Sequence, residues 1–189
     1  MRRMMVPALS LFLAGCASAP THVFTLTSIS PDRQIAITAP RVPIEVGDIP
    51  VPAAIDRSSL VLDEVNGQLS ISPSDIWAAP LSSLIRQTVT TDLQFRLGVG
   101  NVLPPGFIAP NGRLRVLALT IEQFMGSTRG RVVLNVSWAL LDAGTSHVAL
   151  SGHELITVQA ASSKIADIVS AMSQALGQLA DRIAQRIVA

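Results

Sequence analysis

Three segments with a two-residue hydrophobic period follow one another in the second half of the chain, at 113–124, 131–141 and 147–159. This period places successive side chains on opposite faces of a β-strand. The separators are short and turn-like, so the segments predict a three-stranded antiparallel meander. One face of the middle strand is wholly apolar and consists of Val132, Leu134, Val136, Trp138 and Leu140. Such a face requires helices packed over it.

Two segments with a helical period would provide that cover. Pro80 suits a first helical position and Gly98 suits the residue after a helix, which predicts a helix over 80–97. A second apolar stripe contains Ile165, Ile168, Val169, Met172, Leu176, Leu179, Ile183 and Ile187. A membrane-surface helix is the alternative for this stripe, but its polar face lacks the Lys and Arg enrichment of such helices. We therefore expect an α+β fold with an antiparallel sheet, a mixed sheet remaining open, and two amphipathic helices packed on one face.

The first half of the chain is less regular. Residues 22–28 alternate well enough for a first strand, whereas prolines interrupt 39–72 and indicate an edge strand with an irregular surface segment. Asn66-Gly67 between two apolar runs predicts a hairpin. The SPSDIW stretch then reads as a turn into the first helix, with Trp77 packed between helix and sheet.

The N-terminus has the features of an export signal. Met1-Arg2-Arg3 precedes a short apolar run that is below the ~20 residues needed to span a bilayer. Leu13-Ala14-Gly15-Cys16 follows, holds the only cysteine of the chain, and has the pattern of a bacterial lipobox. We expect a signal peptide at 1–15, a lipidated Cys16 with a short tether at 16–21, and a single domain at 22–189. Ordinary cleavage at Ala17-Ser18-Ala19, which would release a soluble protein, is the alternative.

A lipidated Cys16 would anchor the domain without a transmembrane helix. Each buried methylene contributes ~0.8 kcal/mol, and two or more acyl chains such as palmitate give stable anchoring. An aspartate after the lipidated cysteine commonly retains such lipoproteins at the inner membrane. The residue here is Ala17, which predicts the outer membrane, with the domain on its periplasmic face.

Composition excludes several classes of protein. Removal of Arg2 and Arg3 with the signal would reduce 14 basic side chains to 12, against 13 acidic ones, so nucleic acid is not an expected partner. Hydrophobic residues make up 49% of the chain and charged residues 14%, which favours one well-filled core over disorder. A single cysteine also excludes an intramolecular disulfide.

The sequence contains few candidates for catalytic or metal-binding residues. It contains no G-x-S-x-G, P-loop or H-E-x-x-H motif. His147 and His153 would lie ~20 Å apart on one strand, so they cannot share a metal. In the stretch 151–154, Ser-Gly-His-Glu, alternation would send neighbours to opposite faces, and Asp56-Arg57 reads as a solvated turn. We expect no catalytic residues, no cofactor, no metal and no enzymatic activity.

Several blocks together resemble the ABC-transport auxiliary lipoproteins that are associated with MCE-type lipid transport. They are LAGC, VFTLTS, IEVGDIPVPAAIDRSSLVL, DIWAAPLSSLIRQTVTTDL, RLRVLALTIEQF, VVLNVSWALLD and the C-terminal helix. Val23-Phe24 departs from the family, which usually has paired tyrosines there, and this chain has no tyrosine. Asp56, Arg57 and Trp77 match family blocks and are interpreted as structural.

The resemblance implies a docking or positioning lipoprotein for a hydrophobic transport conduit. The partners implied are an MCE-domain protein, the ABC and permease components of the system, and the membrane through the lipid anchor. Homo-oligomerisation would suit a partner of a tunnel and stays open. The alternative is a periplasmic shuttle that shields a lipid tail in a groove between helix and sheet.

Overall fold

The computed structural model describes residues 20–31, 42–64, 67–109, 112–145 and 147–189. The elements in chain order are β1 His22–Phe24, β2 Ile44–Val46, β3 Ser59–Asp63, β4 Leu69–Trp77, α1 Leu81–Leu97, β5 Val102–Leu103, β6 Arg115–Ser127, β7 Arg131–Asp142, β8 Val148–Gln159 and α2 Ile165–Val188.

The predicted meander is confirmed. β6 pairs antiparallel with β7 along its length, and β7 pairs antiparallel with β8. Leu119, Trp138 and Gly152 lie opposite one another across the three strands, on the face that the helices cover. The pairing of β6 with β7 shifts between Ile121 and Gln123, where β6 contributes an extra residue.

The expectation of an antiparallel sheet was wrong for the sheet as a whole, which is mixed. The free side of β6 pairs in parallel with β2 near its start and with β3 near its end. Within the described ranges, four of the seven strand pairings are parallel. Short turns fix the direction of the later strands, whereas the proline-interrupted first half supplies short strands that reach β6 from distant parts of the chain.

Three local expectations also need correction. β2 is not an edge strand, because it lies between β5 and β6. β1 ends at Phe24, earlier than the alternation suggested. The SPSDIW stretch is not a turn but the second half of β4. The pairing of β4 with β3 shifts in register between Ser59 and Val61 and resumes at Ile76, so the strand continues through this stretch. The predicted hairpin joins β3 to β4, although Asn66 lies outside the described residues.

Both predicted helices form on one face of the sheet. α2 packs on β6, β7 and β8, and α1 packs beside α2 and against β2 and β5. Gly98 follows α1 with a φ of 88°, a conformation that glycine adopts without steric cost. Trp77 is buried beneath the helices, as expected. The buried side chains of sheet and helices form one continuous core.

Candidate functional site

Cys16, the predicted lipidation site, lies outside the described residues, so its modification stays a prediction. The structure does show where the chain that follows it joins the domain. His22 begins β1, which pairs in parallel with the end of β4. His22 Nδ1 lies 2.9 Å from Asp75 Oδ1, and Ser72 Oγ donates to Asp75 Oδ2 at 2.6 Å. These contacts fix the first strand at the edge of the sheet.

After β1 the chain crosses the two helices and is held by a group that we name the tether clamp: Asp92, Arg96 and Asp181. Arg96 is 2% exposed, and its Nη1 donates to the carbonyl of Ile29 at 3.0 Å. Its Nη2 donates to the carbonyl of Gly177 at 3.0 Å, and its Nε donates to Asp181 Oδ1 at 2.6 Å. One guanidinium therefore joins the N-terminal segment to α1 and α2.

Asp92 completes the tether clamp from α1. Its side chain is fully buried, and its Oδ1 accepts a hydrogen bond from the backbone N–H of Ile29 at 2.6 Å. Burial raises the pKa of Asp92 to about 6, against the lowering effects of the Ile29 hydrogen bond and the Arg96 charge. Ser173 adds a further contact, because its Oγ accepts from the backbone N–H of Thr27 at 3.1 Å.

Close packing supports the same crossing. A Cβ added to Gly177 would lie 2.9 Å from the Cβ of Ile29, a separation at which one of the two must move. Sequence reasoning missed the tether clamp altogether. The available signal was an Asp and an Arg four residues apart on the predicted first helix, immediately beside its apolar stripe. The clamp pairs a buried guanidinium with the buried Asp92 and the partly exposed Asp181, and it holds the segment that follows β1 against both helices.

The opposite face of β6, β7 and β8 carries a polar cluster around Glu122. Ser137 Oγ donates to Glu122 Oε1 at 2.7 Å, Asn135 Nδ2 donates to Oε2 at 2.8 Å, and His153 Nε2 lies 3.5 Å from Oε2. The hydrogen bond from Ser137 is the main cause that lowers the pKa of Glu122. His153 is 55% exposed, so the cluster is a solvated network on a sheet surface.

The other polar residues singled out in the sequence lie apart from this cluster. His147 lies just before the start of β8, and its Nδ1 is 3.9 Å from Asp142 Oδ2, whereas His153 of the Glu122 cluster lies in the middle of that strand. Glu154 points to the helix face and accepts from Arg182 Nη1 at 2.8 Å, so it and His153 occupy opposite faces, as alternation predicted. No group of three or more metal-ligating side chains occurs among the residues that the structure describes.

An open cavity of about 630 Å³ lies on this outer face, where β3, β6 and β7 meet. Its lining combines both charge signs with a small apolar floor: Asp63, Glu64, Arg129, Arg131, Met125 and Val133. The space between α2 and the sheet is different, since the core side chains fill it. The cavity is therefore separate from the helix–sheet groove that a shuttle would need.

An exposed apolar surface surrounds the end of α1. It is named the α1 rim here and consists of Phe95, Val99, Phe107 and Ile108, with exposed fractions of 42%, 70%, 57% and 88%. Pro104 and Pro105, which begin the loop that carries Phe107, line a cavity together with Gln94 of α1. The loop and the end of the helix thus lie side by side. Aromatic and large aliphatic side chains at such exposure are typical of protein-binding surfaces.

Among the described residues, no helix combines the length and the apolar character that crossing a membrane would require.

The structure thus defines an α+β domain with a filled core, a clamped N-terminal segment and an apolar rim. Residues 24–184 match the model of a family described as the ABC-type transport auxiliary lipoprotein component, and the chain belongs to this family. The resemblance seen in the sequence blocks is thereby confirmed.

Individual relatives agree with this assignment. The chain is 24% identical over 150 residues to the intermembrane transport lipoprotein PqiC of Escherichia coli (strain K12), and to PqiC of Shigella flexneri, with 76% of each chain covered. A crystal structure of an uncharacterized protein has a TM-score of 0.72 at 17% identity and covers 89% of this chain and 99% of its own. Protein XCC0632 from Xanthomonas campestris has a TM-score of 0.67 at 17% identity and covers 85% and 91%. These two structures share the fold.

Proposed function

We propose that this lipoprotein is anchored to the outer membrane, faces the periplasm, and docks or positions the conduit of an MCE/ABC-type lipid transport system. Membership of the transport auxiliary family supports the role, and the lipobox ending at Cys16 supports the anchor. The curated relatives are named intermembrane transport lipoproteins, which agrees with a role in transport between two membranes. Binding, and not catalysis, is the activity assigned to the domain.

The observation that carries the docking role is the α1 rim. Four large apolar side chains are exposed there on a domain whose core is otherwise well filled. Their exposure to water is unfavourable. Contact with a protein surface would bury these side chains and stabilise the complex by ~25 cal/mol per Å² of apolar area buried. The partner proposed for this surface is an MCE-domain protein, with the permease and ATPase as further members of the assembly. Self-association of the lipoprotein around the conduit is compatible with the same role.

The shuttle alternative is less well supported. A shuttle needs an apolar space for a lipid tail, and the space between α2 and the sheet is occupied by side chains such as Leu134, Ile168, Met172 and Leu176. Native mass spectrometry of the purified protein tests this alternative directly. A co-purified lipid in stoichiometric amount would favour the shuttle over docking.

Co-purification tests the docking role. The lipidated protein, extracted in mild detergent, is expected to retain an MCE-domain protein or a permease subunit. The double substitution Phe107→Ser and Ile108→Ser is expected to lose that partner, because it removes Ile108, the most exposed side chain of the rim, together with its exposed aromatic neighbour. Leu155→Ser is the matched control, since Leu155 is 60% exposed on the distant outer face of β8. Retention of no transport protein by the native chain would contradict the proposal.

A further inference from the structure

A second exposed apolar surface lies at the opposite edge of the sheet and is named the β1–β4 patch. It consists of Val23, Leu69 and Ile71, which are 61%, 43% and 48% exposed. Val23 pairs with Ile76 of β4, and Ile76 pairs with Ser59 of β3. These pairings bring residues from two distant parts of the chain to the same edge.

Strand register shows that the patch is continuous. Ile71 pairs with Val61 and Leu69 pairs with Asp63, and both partners lie on the same side of β3 as Ser59. Because the pairing shifts between Ser59 and Val61, the five residue steps from Ile76 back to Ile71 lie opposite only two residue steps of β3, or ~7 Å. Val23, Ile71 and Leu69 therefore follow one another along a single face of the edge.

This face points away from the helices. Leu62 pairs with Gly126, and a Cβ added to Gly126 would collide with Ile168 of α2, so Leu62 points to the helix side. Its neighbour Asp63, which pairs with Leu69, points to the outer side. The two helices thus leave the β1–β4 patch uncovered.

The course of the chain brings the predicted anchor to this edge. β1 is parallel to β4, so the chain enters β1 from the end of β4 that carries Ile71 and Leu69. Six residue steps separate Cys16 from His22, and a fully extended chain covers at most ~3.6 Å per residue. The β1–β4 edge must therefore lie within ~22 Å of a lipidated Cys16. The headgroup region on each side of a bilayer is only ~5–8 Å thick. A tether of this length therefore allows the exposed side chains at the start of β1 to reach the leaflet that holds the anchor.

We propose that the β1–β4 patch lies against the leaflet that holds the lipid anchor, with Val23, Leu69 and Ile71 in contact with lipid. This inference rests on the anchor in the proposed function and adds the orientation of the domain on the membrane. The contact turns the β1–β4 edge toward the bilayer. The anchor supplies the high effective concentration that a patch of three side chains needs for a lasting contact.

A single fluorescent label tests this orientation. Because Cys16 is the only cysteine and its thiol would be blocked by lipid, Ile71→Cys introduces one reactive thiol into the lipidated protein. The labelled protein is bound to vesicles of phosphatidylethanolamine and phosphatidylcholine that contain nitroxide-labelled lipid. Val148→Cys is the matched control, with 49% exposure against 48% for Ile71, at the start of β8. We expect several-fold stronger quenching at position 71 than at position 148.

The outcomes separate this inference from its premises. Equal quenching at the two positions, on protein that floats with the vesicles, would overturn the orientation and leave the anchor intact. Protein that does not float would remove the anchor and this inference with it, while partner co-purification would still test the docking role. Disulfide-linked dimers of unlabelled Ile71→Cys, in place of quenching, would assign the patch to a second copy of the chain and overturn the contact with lipid.

Discussion

Arg96 on α1 donates from Nε to Asp181 Oδ1 on α2 at 2.6 Å, and the same guanidinium holds the carbonyl of Ile29. This arrangement joins both helices to the segment that follows β1. In the proposed function the anchor precedes β1, and this segment continues β1 onto both helices. Hydrogen bonds hold its Thr27 and Ile29 against the helices, whereas a flexible linker of the same length would leave the two free to move relative to each other.

Replacement of Arg96 is expected to destabilise the domain strongly. Arg96→Met keeps most of the side-chain volume but leaves the buried Asp92 without its cation and the carbonyls of Ile29 and Gly177 without a donor. We expect a loss of ~3–5 kcal/mol in the free energy of unfolding, measured by urea denaturation. Arg186→Met, at an exposed position of α2, is the control and should cost less than ~0.5 kcal/mol. Equal effects of the two substitutions would contradict the clamp.

Asp92 should make the stability depend on pH. Its pKa is raised from 3.8 to about 6 in the folded state, so between these values the folded chain binds more protons than the unfolded chain. The contribution of protonated Asp92 to the free energy of unfolding is therefore largest below pH ~4. It decreases as the pH rises through 6 and no longer changes above that range. Asp92→Asn should abolish this component.

The difference in Tm between the native chain and the Asp92→Asn variant isolates the effect of Asp92. The Tm of the native chain minus the Tm of Asp92→Asn should decrease from pH 4 to pH 7. Glu122 and Asp142, whose pKa values are lowered mainly by hydrogen bonds from Ser137 and Arg115, act in both proteins and cancel in the difference. A difference in Tm that stays constant or increases over this range would show that Asp92 is ionised throughout.

The sequence predicted those parts of the fold that depend on local patterns. Alternation predicted β6, β7 and β8, and the three-and-four spacing predicted α1 and α2, because each pattern reports one face of one element. The parallel pairing of β6 with β2 and β3 could not be read in this way. It depends on which distant short strands meet the free side of β6, and their own residues carry little periodicity.

The same distinction applies to the sites. Cys16 could be predicted as a lipidation site because targeting signals are read as linear sequence, and it stays a prediction. The tether clamp was missed because the Ile29 contacts join positions 63 and 67 residues apart, and the Asp181 contact joins positions 85 apart. The β1–β4 patch likewise depends on strand register, which the shift in pairing between Ser59 and Val61 determines.

The indole of Trp138, which lies opposite Gly152 on β7, should leave no room for a side chain at position 152. A Cβ at this position would lie 2.8 Å from three atoms of the Trp138 indole, Cε2, Cζ2 and Nε1. Gly152→Ala is expected to lower the free energy of unfolding by ~1–3 kcal/mol through overpacking. Gly144→Ala is the matched control, because no atom lies within 4 Å of a Cβ there and its φ is not positive.

A double-mutant cycle tests the cause of that effect. Trp138→Phe replaces the indole by a smaller six-membered ring that lacks Nε1 and the outer carbons such as Cζ2, so Gly152→Ala should cost less in that background. The same cost in both backgrounds would show that backbone conformation, and not contact with the indole, requires glycine at 152.

Replacing Arg182 should destabilise the domain more than replacing its ion-pair partner Glu154. Glu154 is 9% exposed on the helix side of the edge strand β8, whereas Arg182 is 45% exposed. Arg182→Met leaves a buried carboxylate unpaired and is expected to cost ~1–3 kcal/mol. Glu154→Gln leaves a cation that can turn into water, so its cost should be smaller. Urea denaturation of both variants at pH 7 measures the asymmetry, and a larger cost for Glu154→Gln would contradict it.

Cys16→Ser is expected to abolish lipidation and to leave the uncleaved precursor, because the diacylglycerol of a lipobox is attached to the thiol of the cysteine and this chain has no other. Metabolic labelling with palmitate and the mass of the mature N-terminus measure both effects. Ala17→Asp is the companion variant, since it should keep the lipid but retain the protein at the inner membrane on sucrose-gradient fractionation. Normal processing of Cys16→Ser would instead support cleavage after Ala19. The domain would then reach its partners by diffusion through the periplasm, and an orientation imposed by a lipid anchor would have no physical basis.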